Sequence, residues 1–112
     1  MDKRELPECP VATTVMLIGS KWKLLVLRNL MARPWRFNEL KRSLAGVSQK
    51  VLTETLRAME NDGLVLRTVY AEIPPRVEYA LTETGRSMWP IIQDMEAWGI
   101  AYKARFDAEK NE

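Results

Sequence analysis

In residues 48–62, SQKVLTETLRAMEND, the apolar side chains Leu52, Leu56 and Met59 recur at helical spacing and turn Gln49, Lys50, Thr53, Glu54 and Arg57 to the opposite face. These side chains suit the edges of base pairs. Arginine donates to the two acceptors of guanine, glutamine donates to the ring nitrogen and accepts from the amino group of adenine, lysine reaches a guanine edge or a phosphate, and the threonine methyl meets a thymine methyl. The same face also describes any solvated helix, so this stripe alone leaves both readings open. Other chemistries have less support. The chain has no histidine and a single cysteine, Cys9, which excludes an internal disulfide and removes zinc sites and His-based catalysis. The carboxylate pairs Glu72 with Glu78 and Asp94 with Glu96 fall on a hairpin and a helix face without a nearby nucleophile or metal ligand. Neither an enzyme nor a bound cofactor or metal is expected.

The elements that would hold residues 48–62 in place sharpen the reading. Phe37, Leu40 and Leu44 form a preceding helical stripe, and Ala45, Gly46 and Val47 separate the two helices. A short turn with glycine between two helices marks a helix-turn-helix, because glycine tolerates the left-handed conformation that ends a helix abruptly. Ser48 is the expected cap of the second helix. After Gly63 the period changes to two. Leu64, Leu66, Thr68 and Tyr70 alternate with Val65, Arg67, Val69 and Ala71, and alternation resumes at Val77, Tyr79 and Leu81. The result is a hairpin wing over residues 64–82, to which residues 35–37 can add a third strand. Arg76, beside Pro74 and Pro75, is read as a tip cation for a phosphate or the minor groove. The prolines also serve to shape the turn and block edge pairing. The fold class is mainly α with a small β-hairpin wing (α+β), a winged helix-turn-helix, and double-stranded DNA is the leading partner.

Charge agrees with this placement. The formal net charge is only +2, yet residues 19–70 hold ten basic against four acidic side chains, and residues 71–112 hold five against eight. Positive charge gathered on the segment that holds the helix-turn-helix is the footprint expected for phosphate binding, with Arg36, Lys41, Lys50 and Arg57 among the candidates. Winged helices also serve as protein-docking modules without DNA, and that remains the alternative.

The two ends of the chain suggest a homodimer. Residues 83–106 carry Met88, Ile91, Ile92, Met95, Trp98, Tyr102 and Phe106 at spacings of three and four, a helix with a wide apolar face that Pro90 should kink or divide. Residues 10–18, with Val11, Val15 and Ile18 in line, are its companion. Val11, Val15, Ile91, Ile92, Met95, Trp98 and Tyr102 are therefore the expected dimer surface, with completion of the monomer core or a ligand pocket walled by Trp89 and Trp98 as alternatives. Gly19, Ser20 and Lys21 lack the spacing of a phosphate loop, so Ser20 is read as a helix cap, and Trp22, Leu25, Val26 and Leu30 as core. Cys9 precedes Pro10, a residue suited to the first helical position, which puts the thiol at a helix N-terminus where a thiolate is favoured; Glu5 and Glu8 oppose that effect.

The runs CPVATTVMLIGSKWKLLVLRNL, RFNELKRSLAGVSQKVLTETLRAMENDGLVLRTVY and PPRVEYALTETGRSMWPIIQDMEAWG resemble the HxlR-type bacterial transcription regulators, winged-helix proteins related to the MarR group. The resemblance spans about residues 9–102. It implies a homodimer with two recognition helices in successive major grooves and two wings on the flanking backbone. The residue reading and the resemblance together lead to the expectation of a sequence-specific regulator with Ser48, Gln49, Lys50, Thr53, Arg57, Arg36, Lys41 and Arg76 on DNA; the fold class serves either sign of effect, and repression is favoured because a small dimer on a promoter excludes polymerase without a further contact. Some relatives use an N-terminal cysteine as an oxidant or electrophile sensor, and Cys9 occupies the matching place; a small-molecule effector is the other option. Residues 1–112 are expected to form one domain. With no run of about 18 apolar residues and no apolar N-terminal stretch, the expectation is a cytoplasmic protein without a membrane partner.

Overall fold

A computed structural model describes residues 5–110. The element order is α1 (Pro10–Ile18), α2 (Lys21–Ala32), β1 (Trp35–Arg36), α3 (Phe37–Ser43), α4 (Gln49–Asn61), β2 (Val65–Tyr70), β3 (Arg76–Leu81), α5 (Glu83–Arg86) and α6 (Trp89–Lys110). The helix-turn-helix is α3 and α4. The wing is β2 and β3, and the short β1 joins as the expected third strand in an antiparallel sheet of order β1-β3-β2. Trp35 stands opposite Tyr79, and β2 pairs with β3 from Val65 against Leu81 to Tyr70 against Arg76.

Local chemistry sets the helix ends. The Ser20 hydroxyl accepts the Lys23 N–H at 3.2 Å and that of Ser48 accepts the Val51 N–H at 3.1 Å, so both predicted caps form. At the far end of α4, Gly63 adopts φ 78°. This lets the Leu64 N–H reach the Met59 carbonyl at 2.9 Å and the Gly63 N–H reach that of Glu60 at 3.0 Å, which satisfies two carbonyls of the last turn. The chain thereby turns straight from α4 into the wing. Gly46 takes φ 92° between α3 and α4, as a tight turn there requires. Thr82 closes the wing: its hydroxyl donates to the Gly63 carbonyl at 2.6 Å and accepts the Gly85 N–H at 3.0 Å, capping α5.

The core lies under the helix-turn-helix. Val26, Leu27 and Leu30 of α2, Leu40 and Leu44, Leu52, Leu56 and Met59 of α4, and Leu64, Val65 and Leu81 of the wing root are buried together. Trp22 and Leu25, expected as core, are only partly buried against it, while Leu27, not singled out by the sequence, is fully enclosed. One polar group is built in. Asn29 donates to the Ser43 hydroxyl at 3.0 Å, and its carbonyl, in the last turn of α2, accepts the Trp35 indole N–H at 2.9 Å. These bonds pin α2 to α3 and β1.

The C-terminal helix is divided, not merely bent. The break falls between Arg86 and Trp89, leaving Pro90 in the first turn of α6, where a missing N–H costs no helical bond. No single helix among the described residues is long and apolar enough to cross a membrane.

Candidate nucleic-acid interface

The face of α4 opposite Leu52, Leu56 and Met59 is open, with Gln49, Lys50, Glu54 and Arg57 all exposed. Thr53 differs from the expectation of a free side chain: it is half-buried and its hydroxyl donates to the Gln49 carbonyl at 2.8 Å, so mainly its methyl remains for contact. The Ser48 hydroxyl is likewise engaged as the cap. A groove runs between this face and the wing root, lined by Phe37, Gln49, Thr53, Arg57, Glu60, Arg67 and Tyr79. Arg67 was missed as a site residue. Its signal was present in the strand period, but only the β2–β3 register, which sets Arg67 opposite Tyr79, brings it beside Arg57.

A second groove on the other side of β3 joins Arg33, Arg36, Asn38 and Arg42 to Pro75 through Glu78. Arg33 is engaged there: its guanidinium lies 3.7 Å from the centre of the Trp35 ring and pairs with Glu39 at 3.6 Å. Glu39 also takes the Arg36 backbone N–H at 2.8 Å. That hydrogen bond, followed by the charges of Arg33 and Arg36, holds the Glu39 carboxyl below the usual carboxylate range. By contrast Arg36, Lys41, Arg42, Lys50, Arg57 and Arg67 make no ion pair among the described residues. Lys50 and Arg57 lie on α4 itself with Glu54 and Glu60 beside them, Arg67 shares the groove of Arg57 and Glu60, and Arg36 and Arg42 line the second groove.

The expected tip cation is the principal correction. Arg76 is not at the tip but is the first residue of β3, opposite Tyr70. Nη1 pairs with Glu78 at 2.9 Å, Nη2 with Glu72 at 3.2 Å, and the guanidinium stacks 3.9 Å from the Tyr70 ring centre. The guanidinium is thus engaged by two carboxylates and a ring, where the sequence suggested a free cation.

The expected dimer residues divide in the same way. Val11, Val15, Ile91, Met95, Trp98 and Tyr102 are exposed, Trp98 stacking on Tyr102 at 5.3 Å between ring centres. Ile92 is corrected: at 7% exposure it belongs to the chain's own core, because the first turns of α6 pack on α2. Cys9 is exposed and caps α1 with Pro10 following it, its carbonyl accepting the Thr13 N–H at 3.0 Å.

Comparison with known proteins decides the family. The description of HxlR-like helix-turn-helix proteins matches residues 17–107. The chain belongs to the HxlR-like helix-turn-helix family. An uncharacterized HTH-type transcriptional regulator of Bacillus subtilis, YdeP, is 46% identical over 99 residues, covering 88% of this chain and 77% of the relative. One from Methanothermobacter thermautotrophicus is 48% identical over 94 residues, covering 84% and 72%. Among solved structures, the redox regulator HypR in its reduced form superposes with a TM-score of 0.84 at 40% identity, covering 89% of this chain and 99% of that one. Its oxidized form gives 0.79 at 44% identity, covering 83% and 96%. The winged helix-turn-helix geometry is thus an HxlR-like one from α2 to most of α6.

Proposed function

We propose that this HxlR-like chain is a transcriptional regulator that binds double-stranded DNA sequence-specifically as a homodimer, with α4 in the major groove and the wing on flanking DNA. The observation that carries the reading is the exposed polar face of α4, where Gln49, Lys50 and Arg57 are open to solvent and Arg57 shares a groove with Arg67 of the wing. Exposed cations and a glutamine on a helix that fits the major groove supply both phosphate-contacting and base-reading groups of a DNA interface. The regulator names of the relatives support this over a protein-docking module or a catalyst. Such work belongs in the cytoplasm. Repression is the simpler action, since a dimer seated on a promoter excludes polymerase without a further contact. The test is selection of duplexes from a random pool by the purified protein, with binding to random duplex at low salt as the control; no selected sequence and no low-salt binding would leave the docking module.

Regulation through Cys9 is part of the same reading. The likeness to a redox regulator solved in both oxidized and reduced forms, together with an exposed thiol beside α1, supports it. Under diamide, two Cys9 thiols from two chains each lose a proton and an electron to the reagent and join in one disulfide, shifting one α1 against the other and with it the spacing of the two α4 helices. Diamide is expected to change DNA binding by the wild type and to leave Cys9→Ser unaffected. Equal insensitivity of both proteins removes the redox switch.

A further inference from the structure

We propose that the wing meets DNA through an apolar tip, Ile73-Pro74-Pro75, inserted as a wedge into the minor groove, and that Arg76 braces this tip and does not bind phosphate. The proposal rests on the DNA-binding reading above and identifies how the wing takes part in it. Arg76 is held on three sides, by Glu72, by Glu78 and by the Tyr70 ring, and its Nε is buried without a hydrogen-bond partner. To reach a phosphate it would have to leave all three and uncover two carboxylates in front of a polyanion. With two carboxylates against one guanidinium, this end of the wing has no net positive charge to draw it to the backbone.

What projects beyond the clamp is apolar. Ile73 has a relative exposure of 103%, the highest among the large hydrophobic side chains of the described residues, so none of the described residues covers it. Pro74 and Pro75 follow directly, and neither has an N–H to pair with another strand or to solvate. Isoleucine and proline are among the side chains that wedge between base steps from the minor groove, where the cost of unstacking is offset by apolar contact. The Glu72 carboxylate beside the wedge is paired with Arg76 at 3.2 Å.

The reach is adequate. Arg67 and Tyr79 at the wing root share a groove with Gln49, Thr53 and Arg57, so the root stands against the face of α4 that enters the major groove. Beyond Arg67 the last three residues of β2 carry the chain about 10 Å outward at roughly 3.3 Å per residue, and the turn sets Ile73 beyond that, toward the neighbouring minor groove. Ile73 thereby becomes a contact residue that responds to the ease of unstacking at flanking steps, and Arg76 a positioning residue.

The experiment uses the duplex selected from the random pool, with 2-aminopurine placed at successive flanking steps, and reads binding by anisotropy and unstacking by 2-aminopurine fluorescence. Wild-type binding is expected to raise the fluorescence at one step on each flank. Ile73→Ser, at a position that contributes nothing to the core, should lose that rise and bind about tenfold more weakly, with an unchanged dependence on salt. Arg76→Gln should also diminish the rise while leaving the salt slope unchanged. A rise retained by Ile73→Ser, or a slope lowered by about one unit in Arg76→Gln, would overturn the proposal, the second because it reports a lost phosphate contact. A wild type that selects no duplex would instead overturn the DNA-binding reading, and anisotropy alone shows that.

Discussion

Arg57 and Gln49 illustrate how much a single side chain can carry here. Both are exposed on the open face of α4, and each can engage one base through two hydrogen bonds, Arg57 with two donors and Gln49 with a donor and an acceptor. Replacing either with alanine is expected to relax preference at a particular base pair by about 1 to 3 kcal/mol, measured by competition among single-base variants of the selected duplex. A uniform loss across all variants would reassign the residue to the phosphate backbone. Glu39 predicts a pH effect. Its carboxyl is lowered by the Arg36 N–H and the neighbouring arginines, so the folded state holds the proton less tightly than the unfolded chain. Its contribution to stability is therefore complete above the unfolded carboxylate value and is lost as pH falls through the lower folded value. Glu39→Ala should melt below the wild type at neutral pH, and the difference should close in acid; a gap that persists in acid would point to packing instead.

Among the elements, the junctions of α4 and α2 are the most exposed to test. Gly63 holds φ 78° at the end of α4 with open space around it, so an added methyl meets no atom and only backbone strain opposes it. Gly63→Ala is expected to cost about 1 to 2 kcal/mol in denaturant unfolding, the usual penalty for an L-residue in the left-handed region. The α2 terminus depends on a contact from a different element. Trp35 donates its indole N–H to the Asn29 carbonyl, one of the last-turn carbonyls without a helical partner. Trp35→Phe keeps most of the ring and removes the donor, and should destabilise the fold by about 1 kcal/mol. No change in the unfolding midpoint would mean that water replaces the indole.

For the molecule as an assembly, Trp98 and Ile92 separate two consequences that the sequence merges. Both belong to one helical stripe, yet Trp98 is 69% exposed and Ile92 is 7% exposed. Most of α6 beyond its first turns is uncovered, and Met95, Trp98, Ile100, Tyr102 and Phe106 together present more apolar surface than a monomer ordinarily leaves in water. Trp98→Glu is expected to yield a folded monomer by sedimentation, with specific DNA binding abolished because one half-site supplies only part of the contact energy. Ile92→Glu should instead fail to fold, since it buries an unpaired charge. A wild type that sediments as a monomer at micromolar concentration would sink the dimer proposal.

The helix-turn-helix, the Ser20 cap of α2 and the Ser48 cap of α4, the hairpin and a break or kink near Pro90 are all legible in the sequence. Each depends on side chains within a few residues of one another, where the 3.6 and 2.0 periods and the capping rules act directly. The third strand was legible too, because a two-stranded ribbon needs support. Which charges stay available was not legible. Arg76 looked like a free tip cation until the hairpin register brought Tyr70, Glu72 and Glu78 around it, and Arg67 joined the α4 face only through its pairing opposite Tyr79. The same holds for Ile92, whose burial depends on α2 lying across the start of α6. Local spacing dictates which face of an element is apolar; which polar groups neutralise one another, and which apolar ones are already covered, depends on contacts between elements far apart in the chain, and those exist only once it has folded.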